Sequence, residues 1–249
     1  MQETAQKRIE EIPDSYVAVD LETTGLNPKK ERIIEIGAVR VEIGEITARF
    51  STFVNPRMEL EPRIVDLTGI EDSMLSGAPE IGEIIGRVLE FCGEFPLLGH
   101  HVIFDYSFLK RAAINAGCSF DRAGIDTLKL ARRFMPEEEK KNLAAACAYF
   151  GVKQETAHRA LSDAISAHLL YQTMRKRHFQ EAPEAFAAKP LIYKVKKEQP
   201  ASKMQKEVLR ELVKYHRINL SVQIDSLSRN EVSRITDKII SQYGRMTKR

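Results

Sequence analysis

The chain has 249 residues, of which 43% are hydrophobic and 29% charged, so it is long and apolar enough for one large domain, alone or with an appendage. Its three cysteines, Cys92, Cys118 and Cys147, form no C-x-x-C pair, which argues against a disulfide framework and a zinc site and favours a reducing compartment. Residues 1–13 do not resemble a signal peptide, and no apolar run is long enough to cross a bilayer, so we expect a cytoplasmic protein without a membrane partner.

Charge is distributed unevenly along the chain. Residues 1–188 carry 23 basic and 29 acidic side chains, a net charge of −6, whereas residues 189–249 carry 15 and 6, a net charge of +9. An acidic body with a basic tail favours contact between the tail and a polyanion. The alternative is a solvated tail that serves only solubility.

The segment from Tyr16 to Gly25 combines a buried strand with two acids. Residues 16–21 are apolar on both faces, which is typical of a central strand. Asp20 and Glu22 are two residues apart, so in an extended chain both side chains point to the same side. Two such carboxylates repel each other unless a cation lies between them, and oxygen ligands suit Mg²⁺ or Mn²⁺. The alternative is a strand end with solvated acids.

The hydrophobic periodicity predicts an alternation of strands and helices after this segment. Strands are predicted over residues 32–43, 46–54, 96–99 and 124–127, and the first three strands of the chain are predicted to form an antiparallel meander. Helices are predicted over residues 79–92, 104–116, 128–134, 142–150 and 159–177, the last with Leu161, Ile165, Leu169 and Met174 on its inner face. Residues 67–70 are predicted to form a small apolar loop. This order of elements predicts an α/β domain with a mixed sheet.

The last part of the chain is predicted to be a separate unit. Residues 179–201, rich in Ala, Pro and Lys, are typical of a linker. Capping-box sequences begin at Ser202 and Ser228 and predict two amphipathic helices, Lys203–His216 and Arg229–Tyr243. We therefore predict a domain over residues 1–178, a linker over 179–201 and a basic helical hairpin over 202–249.

Three more polar side chains lie among apolar neighbours. Asp105 begins a predicted helix, while His158 and Asp163 lie at the start of the last long helix before the tail. Each has an ordinary explanation when taken alone: Asp105 as an acid that interacts with the helix dipole, His158 as a surface or capping histidine, and Asp163 as a solvated acid.

Taken together, these motifs resemble those of the DEDDh family of 3′–5′ exonucleases, which includes the proofreading epsilon subunit of bacterial DNA polymerase III and ribonuclease T. The first motif is Asp-x-Glu-Thr-Thr-Gly at residues 20–25, the second is Gly99-His100-His101 followed by Phe104-Asp105, and the third is His-x-x-x-x-Asp at residues 158–163. The resemblance covers about residues 14–178. It implies a ribonuclease-H-like fold, with a five-stranded mixed sheet flanked by helices.

The resemblance also implies roles for the residues of these motifs. Asp20 would bridge two divalent cations, Mg²⁺ or Mn²⁺, with Glu22, Asp105 and Asp163 completing the ligand set. His158 would be the general base, because the ordinary pKa of imidazole suits proton removal near neutral pH. Contacts with the terminal nucleotide are implied for Thr23, Thr24, Leu26 and Phe104.

Two positions depart from the family pattern. Many relatives have His-Asn where this chain has His100-His101, so His101 takes the place of an asparagine that often contacts the substrate sugar. The sequence Leu-Thr-Gly-Ile at residues 67–70 replaces the His-Gly-Ile of many relatives, which makes Thr68 a candidate to line the site.

We therefore predict a metal-dependent 3′–5′ exonuclease that acts on single-stranded or frayed 3′ ends of DNA and releases nucleoside 5′-monophosphates, with the basic tail in contact with the nucleic acid. One alternative is an RNA-trimming 3′–5′ exoribonuclease. Another is a non-catalytic nucleic-acid-binding or polymerase-associated module, although such a module does not need all of Asp20, Glu22, Asp105, Asp163 and His158. Association of the enzyme with a polymerase stays open.

Overall fold

The computed structural model describes residues 12–154, 158–220 and 222–246. The strands are β1 (Tyr16–Thr23), β2 (Ile33–Glu42), β3 (Glu45–Phe53), β4 (Leu97–Gly99), β5 (Ala123–Asp126) and β6 (Lys189–Pro190). The helices are α1 (Pro62–Thr68), α2 (Asp72–Leu75), α3 (Ile81–Cys92), α4 (Ile103–Asn115), α5 (Thr127–Phe134), α6 (Leu143–Phe150), α7 (Ala160–His178), α8 (Lys203–His216) and α9 (Arg229–Tyr243). Short 3₁₀ turns span Pro183–Phe186 and Ile224–Ser226. The predicted α/β class is confirmed.

In the described part of the chain, six strands form one mixed sheet in the order β3-β2-β1-β4-β5-β6. The antiparallel pairs β1/β2 and β2/β3 confirm the predicted meander, and β4 and β5 continue the sheet parallel to β1. The prediction of five strands missed β6. This strand forms because residues 189–190 of the predicted linker pair with β5, and the Leu191 N–H then donates to the Arg122 carbonyl at 2.9 Å.

Helices cover both faces of the sheet, and β1 contributes alternate residues to each face. Val17, Val19 and Leu21 pack in the core on the side of α3 and α4. Tyr16 and Ala18 pack on the opposite side, with α5, α6 and α7. Asp20 and Glu22 continue this second series because strand side chains alternate between the faces. The sheet therefore directs both carboxylates towards the side where α7 begins.

Gly37 allows α7 to begin directly against the sheet. It lies in β2, opposite Asp20 in the β1/β2 pairing. A Cβ atom at this position would lie 2.0 Å from the Leu161 nitrogen and 2.1 Å from the Ala160 carbonyl carbon. The backbone of the first turn of α7 therefore occupies the space that any side chain would need. This close approach brings Asp163, one turn further along α7, towards β1.

The C-terminal hairpin has a small core of its own. Leu209 and Leu212 of α8 pack with Leu227 and with Val232 and Ile239 of α9. Both predicted capping boxes are present, at Ser202 and Ser228, and the bounds of the two helices are as predicted. The preceding segment contacts the body, since the Glu198 N–H donates to Asn115 Oδ1 at 3.0 Å and the Glu198 carboxylate pairs with Arg111. The division of the chain into domains stays a prediction.

Two local predictions are wrong. Leu67 and Thr68 end α1 instead of forming a loop, and Gly69 closes that helix with a left-handed φ of 67°. Leu169 is exposed, not on the inner face of α7, because the buried stripe follows the small residues Ala164 and Ala167, which let the helix lie close to the sheet.

In the residues described, no helix has both the length and the apolar character needed to cross a membrane. The prediction that the N-terminus is not a signal peptide concerns residues 1–13, of which 1–11 lie outside the described part.

Because the first turn of α7 lies against β2 at Gly37, a single methyl group added at this position should reduce the stability of the protein. Gly37→Ala places a methyl group against backbone atoms that cannot move separately from α7, so we expect a loss of about 3 kcal/mol or more in the free energy of unfolding. The matched control is Gly86→Ala in α3, where no atom lies within 4 Å of the added Cβ. That control should be neutral or gain about 0.5–1 kcal/mol, since alanine favours helix. Urea unfolding of both variants measures the difference, and equal stabilities would contradict the described approach of α7.

Candidate active site

Two acidic residues, Asp20 and Glu22, lie near the C-terminal end of β1. Asp20 and Glu22 are both half-buried. Among the described residues, neither side chain accepts a hydrogen bond from a protein donor. The backbone pairing of Asp20 with Gly37 and of Glu22 with Glu35 holds both residues in place.

Asp105 reaches the same place from the other side of β1. It lies in the first turn of α4, is buried, and accepts a hydrogen bond from the Leu21 N–H at 3.1 Å. Leu21 separates Asp20 from Glu22 in the strand, so this bond fixes Asp105 beside both acids. Its place in the first turn of α4 also fits the alternative of an acid that interacts with the helix dipole, so the role of Asp105 stays a prediction.

The third motif completes the cluster. The Asp163 carboxylate accepts the His158 backbone N–H at 3.0 Å and the Gln154 side-chain amide at 3.4 Å. Ligand atoms of Glu22, His158 and Asp163 lie within 4.8 Å of one another. His158 is exposed and has a left-handed φ of 59°, a conformation that non-glycine residues adopt rarely and often at functional sites.

Burial and mutual repulsion dominate the electrostatics of the cluster. Burial raises the pKa of Asp20 well above its ordinary value, and Asp105, Asp163 and Glu22 raise it further. Burial also raises the pKa of Glu22 to about 7, with a further contribution from Asp163. The pKa values of Asp105 and Asp163 are raised mainly by burial as well. Ionising all four carboxylates is therefore unfavourable without a compensating positive charge.

This donor set fits a hard divalent cation. Its ligand atoms are carboxylate oxygens with an adjacent imidazole, and the Asp20 and Glu22 oxygens are not engaged by protein donors among the described residues. Mg²⁺ and Mn²⁺ prefer oxygen ligands of this kind. Asp20, Glu22, Asp105 and Asp163 are the residues that could hold such ions.

Glu35 is a neighbour of the site that the sequence analysis missed. It is buried in β2 beside Glu22 and forms an ion pair with Arg159, with 3.0 Å between Glu35 Oε1 and an Arg159 guanidinium nitrogen. Its other oxygen accepts the Ala160 N–H at 3.2 Å. Glu35 therefore fixes the residue that follows His158 and the first residue of α7. In the sequence, Glu35 can be recognised only as a polar residue within a predicted strand.

The two threonines predicted to contact substrate use their hydroxyl groups within the protein. Thr23 donates to the Gly25 carbonyl at 2.8 Å, and Thr24 donates to Glu31 Oε2 at 2.7 Å while accepting the Arg32 N–H. Both residues are buried. They shape the loop after β1, and their contacts with substrate stay a prediction.

Three further predicted substrate-binding residues differ in accessibility. Leu26 is 86% exposed, which is unusual for a large apolar side chain, and it lies at the tip of the same loop. Phe104 is half-buried and packs against Phe108 with 5.0 Å between the ring centroids. Thr68 is buried and donates to the Ile64 carbonyl at 2.8 Å, so its hydroxyl serves the end of α1. Their roles also stay predictions.

His101 occupies a left-handed backbone position, with a φ of 77°. Asp126, which the sequence analysis did not identify, holds it there: Asp126 Oδ1 accepts the His101 N–H and the Leu128 N–H, each at 3.0 Å. Asparagine and histidine are both among the residues that tolerate this conformation, which gives a physical reason for the exchange at position 101. The His101 side chain is exposed.

Comparison with known proteins identifies the family. A family model for exonucleases of the RNase T type matches residues 17–171. The chain belongs to this exonuclease family. The chain is 38% identical over 168 residues to a PolC-type DNA polymerase III of Clostridium perfringens, an alignment that covers 67% of the chain but only 12% of that relative. It is also 38% identical over 171 residues to DNA polymerase III subunit epsilon of Aquifex aeolicus, covering 68% of the chain and 85% of the subunit.

Solved structures agree with this assignment. The chain is similar to exonuclease X in complex with 5′ overhanging duplex DNA, with a TM-score of 0.54 and 26% identity over 68% of this chain and 96% of that one. The predicted ribonuclease-H-like fold and the resemblance to the epsilon subunit are confirmed.

Proposed function

We propose that the exonuclease removes nucleotides from the 3′ end of DNA in a reaction that depends on two divalent cations and releases nucleoside 5′-monophosphates. The observation that carries this proposal is the convergence of Asp20, Glu22, Asp105 and Asp163 with His158 near the C-terminal end of β1. Nucleases of the family need such a set, and a module that only bound nucleic acid would have no use for carboxylates that repel its ligand.

Asp20, Glu22, Asp105 and Asp163 would hold the cations, Mg²⁺ or Mn²⁺. Bound there, two such ions supply an activated water, orientation of the scissile phosphate and charge stabilisation at the leaving oxygen. The protein provides the fixed carboxylates. Glu35 keeps the backbone around His158 and Ala160 in place.

His158 would take the proton of the attacking water. Its exposed imidazole is accessible to water, while its backbone is held by Asp163. Histidine is the usual group for proton transfer near neutral pH. Leu26 and Phe104 would pack against the terminal nucleotide, the loop at Thr23 and Thr24 would position it, and His101 would lie near its sugar.

The relatives favour DNA as the substrate and suggest a polymerase partner. One is named as a PolC-type DNA polymerase III and another as an epsilon subunit of DNA polymerase III, and exonuclease X was solved with DNA. Association with a DNA polymerase is therefore part of the proposal. Co-sedimentation with the replicative polymerase of the same organism tests it, and complete separation would argue against it.

The direct test is digestion of 5′-labelled and 3′-labelled single-stranded DNA, mismatched duplex DNA and RNA in parallel. We expect the 5′-labelled DNA to shorten stepwise and the 3′ label to leave first as a mononucleotide. Activity should be lost in EDTA and restored by Mg²⁺ or Mn²⁺, because the ligand set consists of carboxylates. Undiminished digestion in excess EDTA would overturn the metal requirement, and a preference for RNA would favour the exoribonuclease alternative.

Replacing His158 tests the general base. His158→Ala should reduce kcat by roughly 10²–10⁴-fold, the usual range for a positioned base, and remove the acidic limb of the pH–rate profile. Because residue 158 has a positive φ, alanine also introduces backbone strain. His158→Asn is therefore the second variant, since asparagine tolerates this conformation and is not a base at neutral pH. An acidic limb that persists in both variants would mean that another group accepts the proton.

A further inference from the structure

A groove of about 700 Å³ lies between the exonuclease body and the C-terminal hairpin. One wall consists of the loop residues Lys29 and Lys30, together with Arg32 and with Arg111 of α4. The other consists of the extended segment 193–199 and the first half of α9. The groove has the size of a ligand site, and both parts of the chain are needed to form it.

The lining of this groove is strongly basic. Nine lysine and arginine residues line it, against the two acids Glu198 and Asp237, and Glu198 is already paired with Arg111. Seven of these cations form no ion pair among the described residues, although they line one groove: Lys29, Lys30, Lys194, Lys196, Lys197, Arg229 and Arg234, the last of which donates to a backbone carbonyl. Such a concentration of unpaired positive charge favours an anionic ligand.

Contacts between the body and the hairpin fix the shape of the groove. Arg32 pairs with Glu231 of α9 at 3.4 Å, and Arg234 donates to the Lys30 carbonyl at 3.1 Å. Burial and the neighbouring Arg32 lower the pKa of Arg234, which reflects the crowding of positive charge. The two arginines hold the walls together, while the lysines of the extended segment remain exposed.

Two elements of the chain connect the groove with the candidate active site. Lys29 and Lys30 belong to the loop that begins at Thr24 and carries Leu26 at its tip. Arg111 lies six residues after Asp105 in α4, which is about 9 Å along the helix axis. The loop after β1 and α4, which both carry candidate site residues, therefore also contribute residues to the lining of the groove.

We propose that this groove binds the backbone phosphates of the single strand whose 3′ end enters the carboxylate site. The direction of the nucleic-acid strand in this inference, with its 3′ end at the carboxylates, rests on the proposed function. The lysines contact phosphates, and Tyr193, which lines the groove, offers a ring for base stacking; basic grooves with aromatic side chains are the usual solution for single strands. An acidic protein would satisfy the charge, but not the continuity with the loop beside the active site.

The test measures binding without hydrolysis. In EDTA, fluorescence anisotropy of a labelled 20-nucleotide single-stranded DNA is followed across a salt series, for the wild type and for Lys194→Ala/Lys196→Ala/Lys197→Ala. Three phosphate contacts at about 0.7 each predict that the slope of log Kobs against log salt becomes shallower by about 2 in the variant. Arg32 and Arg234 are left unchanged because they hold the groove together.

The matched control is Lys203→Ala/Lys214→Ala/Lys238→Ala. It removes the same charge from exposed positions of the same tail that do not line the groove. This control should keep the wild-type slope. Equal slopes for the two triple variants would overturn the proposal, as would the absence of any binding to the 20-nucleotide strand at low salt.

Hydrolysis with Mg²⁺ separates this inference from the proposed function. The groove variant should lose roughly tenfold or more in kcat/KM on the 20-nucleotide strand at low salt and stay near the wild type on a trinucleotide, which is too short to fill the groove. Equal losses on both lengths would contradict the groove. A wild-type enzyme that binds the long strand in EDTA but hydrolyses neither substrate would contradict the exonuclease assignment and leave the groove supported.

Discussion

The candidate site depends on one constraint, which is the approach of the first turn of α7 to β2 at Gly37. The Gly37 backbone pairs with Asp20, so the helix begins beside the strand residue that carries the central acid. Glu35, two residues earlier in β2, pairs with Arg159 and accepts the Ala160 N–H, which fixes the same turn from a second point. Because these contacts are made by backbone atoms and by the buried Glu35 carboxylate, the position of Asp163 does not depend on the acids it adjoins.

The fold thus forces together groups that repel each other. Alternation along β1 turns Asp20 and Glu22 to the side of α7, and the Leu21 N–H binds Asp105 between them. In the ion-free protein, burial and proximity raise the pKa values of these acids, so that the site opposes full ionisation at neutral pH. Such an arrangement reduces stability, and a cation bound among the acids would offset the loss. It is the kind of local conflict that functional sites retain.

Much of this could be predicted from the sequence. The motifs around Asp20, Asp105 and His158 have residue types and spacing that identify the family, and the capping boxes at Ser202 and Ser228 define the hairpin helices. Contacts between distant segments could not be predicted. Glu35 looks like any polar residue in a strand until its pairing with Arg159 is known. The internal hydrogen bonds of Thr24 and the strand β6 likewise depend on which backbone groups become neighbours after folding.

The distribution of charge along the sequence was not sufficient to predict the groove. The excess of basic residues after position 189 indicates a polyanion but not a place for it. Docking of α9 on the loop after β1, through Arg32 and Arg234, places basic residues of the body opposite those of the extended segment. The acidic body therefore contributes to a locally basic surface, which includes the loop that follows the β1 carboxylates.

The central claim is that the carboxylates repel each other and are compensated only by a divalent cation. Thermal unfolding of the wild type and of Asp20→Asn, in EDTA and then with Mn²⁺ at neutral pH, tests it most directly. Asparagine keeps the shape of Asp20 and removes its charge, so the account predicts a higher Tm for the variant in EDTA, by about 2–4 °C for each kcal/mol of repulsion relieved. Mn²⁺ should raise the Tm of the wild type and leave that of the variant nearly unchanged. A variant that melts earlier than the wild type in EDTA, or one that Mn²⁺ stabilises equally, would contradict the account.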